Sequence, residues 1–299
     1  MGSNKGRTAH DILQPAVRGN MERIRAAAVR LLSDRADAEA VHDFRVGLRR
    51  LRTVLRSARA IYGKKKVRKL EASFKRFGDA TNALRDAEVL AETLALVELD
   101  QADRETANRW LEEERRRQER LRDDATAIIE RGDLEVAFAA LLDVVGGPPK
   151  SDVSMKRFAK TRLVDVQLGV AELLPASRDD VEALHRLRIR FKRLRYTAEM
   201  LDRFTGVGQS RKKARRNEPR GEAPKRSPFA KTAKQAQRMQ KLLGTLHDAD
   251  VALETVAASE GLREEERRPL TEGLLALRRR LVDESVEALE ALPAYVLGE

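Results

Sequence analysis

The sequence predicts an all-α protein whose two halves are copies of one helical unit. Three observations lead there. Ala, Leu, Glu and Arg are abundant among the 299 residues, and these side chains lose little rotamer freedom in a helix. Aromatic residues make up only 4% of the chain, and Ile, Thr and Tyr are scarce, which argues against an extensive sheet. Apolar residues recur at helical spacing in segment after segment, and two motifs of the first half return in order in the second.

The first helix is read from Ile12 to Leu32, after which Ser33, Asp34 and Asp37 supply stop and cap chemistry. The second runs from Val41 to Ile61 and ends at Gly63. Further helices are expected at about 66–99, 104–131 and 133–145. Gly146, Gly147, Pro148 and Pro149 then break the chain, because two glycines followed by two prolines cannot continue a helix. The pattern resumes at about 152–174 and resets at Pro175, Ser177 and Asp179. Helices at about 180–204, 229–258 and 264–290 complete it. The two units are therefore expected at 10–145 and 152–291.

One stretch departs from this periodicity. Residues 205–228 hold Gly206, Gly208, Pro219, Gly221, Pro224 and Pro228. Between Arg211 and Arg226, eight Lys or Arg stand against Glu218 and Glu222, which is half of the chain's formal charge of +12. Such a segment is too polar and too rich in helix breakers to pack, and a disordered basic insertion is expected.

The repeat carries the functional reading. Val41-His42-Asp43-Phe44-Arg45-Val46-Gly47-Leu48-Arg49-Arg50-Leu51-Arg52 aligns with Leu184-His185-Arg186-Leu187-Arg188-Ile189-Arg190-Phe191-Lys192-Arg193-Leu194-Arg195. Later in each half, Leu84-Arg85-Asp86-Ala87-Glu88-Val89 aligns with Leu246-His247-Asp248-Ala249-Asp250-Val251. The second pair is further apart than the first, and the insertion between the motifs of the second half accounts for the difference.

At about 100° per residue, His42, Arg45, Arg49, Arg52 and Arg56 fall in one narrow arc of their helix. Phe44, Leu48, Leu51 and Leu55 form a stripe about 100° away. The second copy sets His185, Arg188, Lys192 and Arg195 beside Leu184, Leu187, Phe191 and Leu194. A basic ladder bordering an apolar stripe suits the wall of a groove between packed helices. Cations gathered in such a groove repel one another unless an anion fills it. The blander reading is a solvated arginine-rich face, but solvation does not require the same phase twice. Lys231, Lys234, Arg238 and Lys241 form another ladder leading into the second Leu-His-Asp motif. Arg50 and Arg193, which project away from the ladders, and Lys75 and Arg76 are secondary candidates. Asp86 and Asp248 are acids in basic surroundings, and their expected task is to orient neighbouring cations.

The two motifs resemble those of the CHAD domain, the conserved-histidine α-helical domain. Its leading signature, His-x-x-Arg-(Val/Ile)-x-x-(Lys/Arg)-Arg-Leu-Arg, starts here at His42 and again at His185. Its second signature, an Arg-Asp pair, is met by Arg85-Asp86, whereas the second copy has His247-Asp248. The resemblance covers about 10–290. It implies two pseudo-symmetric helical bundles around a basic central cavity that binds inorganic polyphosphate. With that ligand, the ladders give the expected binding residues as His42, Arg45, Arg49, Arg52, Arg56, His185, Arg188, Lys192, Arg195, Lys234, Arg238 and Lys241.

Other chemistries find little support. With no cysteine there is no disulfide, thiolate metal site or cysteine nucleophile. His10, His42, His185 and His247 show no metal-binding spacing, and no P-loop or G-x-S-x-G is present. Binding without catalysis, cofactor or metal is therefore expected. No segment approaches the apolar length of a membrane span, and no apolar leader opens the sequence. The expectation is a cytoplasmic protein, located at polyphosphate granules, that avoids membranes. Nucleic acid is the alternative partner, through the basic surface and the 211–226 loop. Against it stands the lack of aromatic residues near the ladders for base stacking.

Overall fold

The helical periodicity becomes ten α-helices and a short 3₁₀ turn among residues 7–34, 37–174, 180–204 and 227–298, which this computed structural model describes. They are α1 (Ala9–Ser33), α2 (Ala38–Tyr62), α3 (Lys64–Ala80), α4 (Asn82–Leu94) and α5 (Gln101–Glu130). After these come α6 (Asp133–Gly146), α7 (Met155–Ala171), α8 (Val181–Phe204), α9 (Pro228–Ala257), α10 (Glu264–Glu290) and the turn Ala294–Val296. The described residues contain no strand beyond an isolated bridge between Thr8 and Ser154. The expected reset at 175–179 and all but two residues of the basic insertion lie outside the described residues.

Caps set the helix starts. Asp37 accepts from the N–H groups of Glu39 and Ala40 at 3.1 and 3.0 Å, and Asp100 accepts from Asp103 at 2.9 Å. Ser227 caps α9 and also donates to Asp202, tying the start of α9 to the end of α8.

The segment 66–99, read as one helix, is instead two. Thr81 breaks it, with ψ turned to 6° and its hydroxyl donating back to the carbonyls of Phe77 and Gly78. A threonine hydroxyl competing for the carbonyls of its own turn bends the helix axis. The break lets α4 leave the line of α3 and run beside α9.

Two apolar cores follow. The first joins α1, α2, α3 and α6, with Phe44, Phe74, Phe77 and Phe138 fully buried, and takes in Phe158 of α7 and Met200 of α8. The second joins α8, α9 and α10 around Leu187, Phe191, Met239 and Leu274, and takes in Leu94 of α4 and Trp110 of α5. Helices on both sides of the Gly146–Pro149 break thus contribute to each core. Both predicted apolar stripes lie inside, every member at most 2% exposed. Each such side chain gains about 1.5–3 kcal/mol by burial, enough to fix the rotation of α2 and α8 and with it the direction of the ladders. Close approach of α1 to α2 needs Gly47, since a Cβ there would lie 2.7 Å from Ile24 Cγ1.

Candidate anion-binding cavity

With α2 and α8 rotated by their buried stripes, part of each ladder faces a cavity of about 510 Å³ walled by α2, α4, α8 and α9. From α2 come His42, Arg45 and Arg49, and from α8 come Arg188 and Lys192. The α4 wall supplies Asn82, Arg85 and Asp86, and the α9 wall supplies Gln240, Lys241, Thr245, His247 and Asp248. Six Lys or Arg therefore face one space with two aspartates.

Local contacts hold these groups in place. Arg45 Nη1 donates to the Gly78 carbonyl at 2.9 Å and to the Thr81 hydroxyl at 3.0 Å, clamping the α3–α4 break that delivers Arg85 and Asp86. Arg49 Nη1 donates to the Tyr196 hydroxyl at 3.1 Å, and its guanidinium lies 5.8 Å from that ring. Arg188 Nη2 is 3.8 Å from Asp248 Oδ1, while its Nε is buried without a hydrogen-bond partner among the described residues. Behind the cavity wall, His185 Nδ1 and His247 Nδ1 share a hydrogen bond at 3.1 Å, so one ring donates and the other accepts.

The electrostatics show how crowded the positive charge is. Burial, followed by repulsion from Arg188 and Arg49, pushes the Lys192 ammonium down to about 6. Burial and the cations Arg188, His185 and Lys192 push His247 down to about 4. Burial lowers His185 as well, with Arg188 and Lys192 adding to it. Arg188 is also lowered, chiefly by burial, against the pull of Asp248 and Asp86 and with the push of Arg49. Both aspartates are raised by desolvation, although Arg188 and neighbouring cations pull them the other way. The cavity's own cations thus resist one another's charge. An anion placed in it would relieve that resistance.

The remaining predicted residues lie elsewhere. His185 stands behind His247 and does not line the cavity. Arg195 is held by Glu199 at 2.7 Å and by Gln240 at 3.3 Å. Arg52 is partly buried outside the cavity, its Nε unpartnered among the described residues. Arg56 and Arg193 line a smaller pocket beside α7. Lys234 and Arg50 line a third cleft, with Arg50 reaching Glu199 at 3.4 Å, and Arg238 faces a groove against α10. Lys75 and Arg76 pair on the surface with Asp79 and Asp133. The ladder on α9 is divided because Lys234 and Lys241, though on one face, are about 10 Å apart along the axis and meet different neighbours.

Asn82, Gln240 and Thr245 were missed, and Arg85 and His247 were noticed only as motif members. Lys241, Thr245 and Asp248 do share a helix face by spacing, a signal that would have found Thr245. Nothing in the sequence marks Asn82. Among the described residues, no group of three or more His, Asp or Glu is placed to hold a metal ion. No described helix is long and apolar enough to cross a membrane.

A family model described as "CHAD domain" matches residues 15–217. The structure is similar to the crystal structure of the CHAD domain from the plant Ricinus communis, with a TM-score of 0.73 and 21% identity, over 98% of this chain and 96% of that one. It is also similar to PptA from Streptomyces chartreusis, with a TM-score of 0.59 and 13% identity, over 95% of this chain and 99% of that one. At these identities the likeness speaks for the fold. No curated protein matches the sequence.

Proposed function

This chain belongs to the CHAD domain family, and on that premise we propose that its central cavity binds inorganic polyphosphate. The observation that carries this reading is the convergence of Arg45, Arg49, Arg188, Lys192 and Lys241 from three helices on one space. Polyphosphate carries about one charge per internal phosphate, so a few consecutive units answer a surplus of four positive charges. Guanidinium forks on both walls can each grip two phosphate oxygens, and the lysines act as point charges. Asp86 and Asp248 keep Arg188 and its neighbours in position, and Asn82, Gln240 and Thr245 add neutral hydrogen-bonding groups.

Binding, not turnover, is the proposed task, with both carboxylates engaged electrostatically by arginines. Such a protein would collect where polyphosphate accumulates, at granules in the cytoplasm. A nucleic acid fits the cavity less well, since the residues lining it include no Phe, Tyr or Trp on which a base could stack.

The test is titration of long-chain polyphosphate against duplex and single-stranded DNA at matched phosphate concentration over several salt levels. Polyphosphate is expected to win at near-physiological salt, and the Arg49→Glu, Lys192→Glu double variant is expected to lose it. Equal affinities that vanish together as salt rises would mean a diffuse cationic surface. Intact binding in the double variant would sink the site assignment.

A further inference from the structure

The far ends of the α2 and α8 ladders meet away from the central cavity. Arg56 of α2, Arg190 and Arg193 of α8, and Arg162 of α7 line a second cavity of about 170 Å³ that shares no lining residue with the first. Its acid, Asp165, is already held by Arg162 at 2.7 Å. Among the described residues Arg190 pairs only with Glu172, at 4.0 Å. Arg56 and Arg193 have no hydrogen-bond or ion-pair partner among the described residues. Glu71, the acid that acts on Arg56, is gripped by both Nε and Nη2 of Arg59.

The wall is polar as well as cationic. Thr197 is only 4% exposed and lines the cavity, and its hydroxyl has no partner among the described residues. Gly169 leaves the seat that the Arg190 guanidinium occupies, for a Cβ there would lie 3.1 Å from Nη1. Burial and repulsion from Arg193 bring Arg56 down to about 10, and Arg193 is lowered by burial and by its arginine neighbours. Unpartnered guanidinium groups, one unpartnered hydroxyl and an acid already occupied suit a small anion.

We propose that this cavity is a small-anion site, seating one tetrahedral oxyanion between Arg56, Arg190 and Arg193 with Thr197 as a further donor. With a third of the volume of the central cavity, it admits a single phosphate and not a run of them. The occupant is free orthophosphate or the terminal phosphoryl group of a chain. On α8, Arg193 and Thr197 lie about 100–140° around the helix from Lys192, so one helix serves two sites on two faces. The proposal does not rest on the polyphosphate reading, since the two cavities have separate linings.

The experiment titrates inorganic orthophosphate into the full chain by calorimetry, alongside Arg56→Gln/Arg193→Gln, Thr197→Val and the central-cavity variant Lys192→Gln. Orthophosphate affinity is expected to fall by about tenfold or more in the double variant, as loss of charge-assisted bonds requires. A fall of severalfold at this site is expected in Thr197→Val, while the binding step lost in the double variant persists in Lys192→Gln. If the double variant fails to fold, Thr197→Val decides. Tripolyphosphate displacing orthophosphate from the Lys192→Gln protein identifies a chain terminus as an occupant, and failure to displace identifies the free ion. Absence of orthophosphate binding in the unmodified chain would overturn the proposal, as would equal binding in the pocket variants. Loss of long-chain binding alone in the double variant would assign Arg56 and Arg193 to the polyphosphate path instead.

Discussion

Polyphosphate binding should draw a proton onto Lys192. Burial and the guanidinium groups of Arg188 and Arg49 hold this ammonium at about 6 in the empty cavity. At pH 7.5 an amine with that pKa is protonated in only about 3% of molecules. A phosphate oxygen beside it favours the charged form and moves the pKa back toward the usual lysine range. Binding near pH 7.5 is therefore accompanied by uptake of about one proton at this residue. The sign follows from the direction of the change. Because the pKa is low when free and high when bound, affinity falls as pH rises above about 6, by up to about tenfold per unit. Lys192→Arg keeps the cation but cannot deprotonate, so uptake should disappear and the pH profile flatten. Calorimetric titration in two buffers of different ionisation enthalpy counts the protons directly. Long chains are the right ligand, because their few terminal groups, which titrate near 6, contribute little. Uptake near zero between pH 6.5 and 8.5, or the same uptake in Lys192→Arg, would refute the reasoning.

Gly47→Ala should destabilise the fold by about 1–3 kcal/mol in denaturant titrations, because the new methyl group overlaps Ile24 at 2.7 Å. Arg45→Ala should lower stability as well as affinity, by about 1–3 kcal/mol, since the Gly78 carbonyl and the Thr81 hydroxyl lose their clamp. Cutting only affinity would show that the clamp is idle. Lys192→Met should stabilise the ligand-free protein at neutral pH by about 1–3 kcal/mol while weakening polyphosphate binding. In the unmodified chain the unfolded state holds a proton that folded Lys192 releases, so stability should rise with pH from about 6 upward, and thermal melts of Lys192→Met should lack that rise.

Much of the helical framework was legible, because periodicity and breakers are local signals. Asp37 and the stripes Phe44–Leu55 and Leu184–Leu194 behave as their spacing requires. Thr81 was not legible as a break, since a threonine in a helical pattern is common and only its clamp by Arg45 reveals the bend. The site was legible in part. His42, Arg45, Arg49, Arg188, Lys192, Lys241, Asp86 and Asp248 do share a cavity. His185, Arg52, Arg195 and Arg238 do not join them, and Arg56 and Lys234 lie too far along their helices to do so. A helical wheel gives rotation but not height along the axis, and a cavity of 510 Å³ spans only a few turns of each wall. Asn82, Gln240 and Thr245 are neutral residues whose placement depends on how α4 and α9 pack, which no pattern within either helix encodes.

The arrangement also explains why cations are placed where they repel. A loose basic surface would lose its side-chain entropy only on meeting the anion, at a cost of up to about 1.5–2 kcal/mol for each Lys or Arg. Here much of that ordering is complete beforehand. Tyr196 holds Arg49, Gly78 and Thr81 hold Arg45, and Asp248 stands beside Arg188. The repulsion stored in the empty cavity is offset by the apolar stripes of α2 and α8, which are anchored in two cores drawn from both halves of the chain. Each ladder's orientation draws on both halves, because Met200 of α8 joins the core beneath α2, and Leu94 of α4 joins the core beneath α8. Preorganised repulsion favours an occupant with several charges in a row over one with the same charges spread apart. On the proposed reading, that preference would separate a linear phosphate polymer from the wider backbone of a nucleic acid more sharply than net charge could.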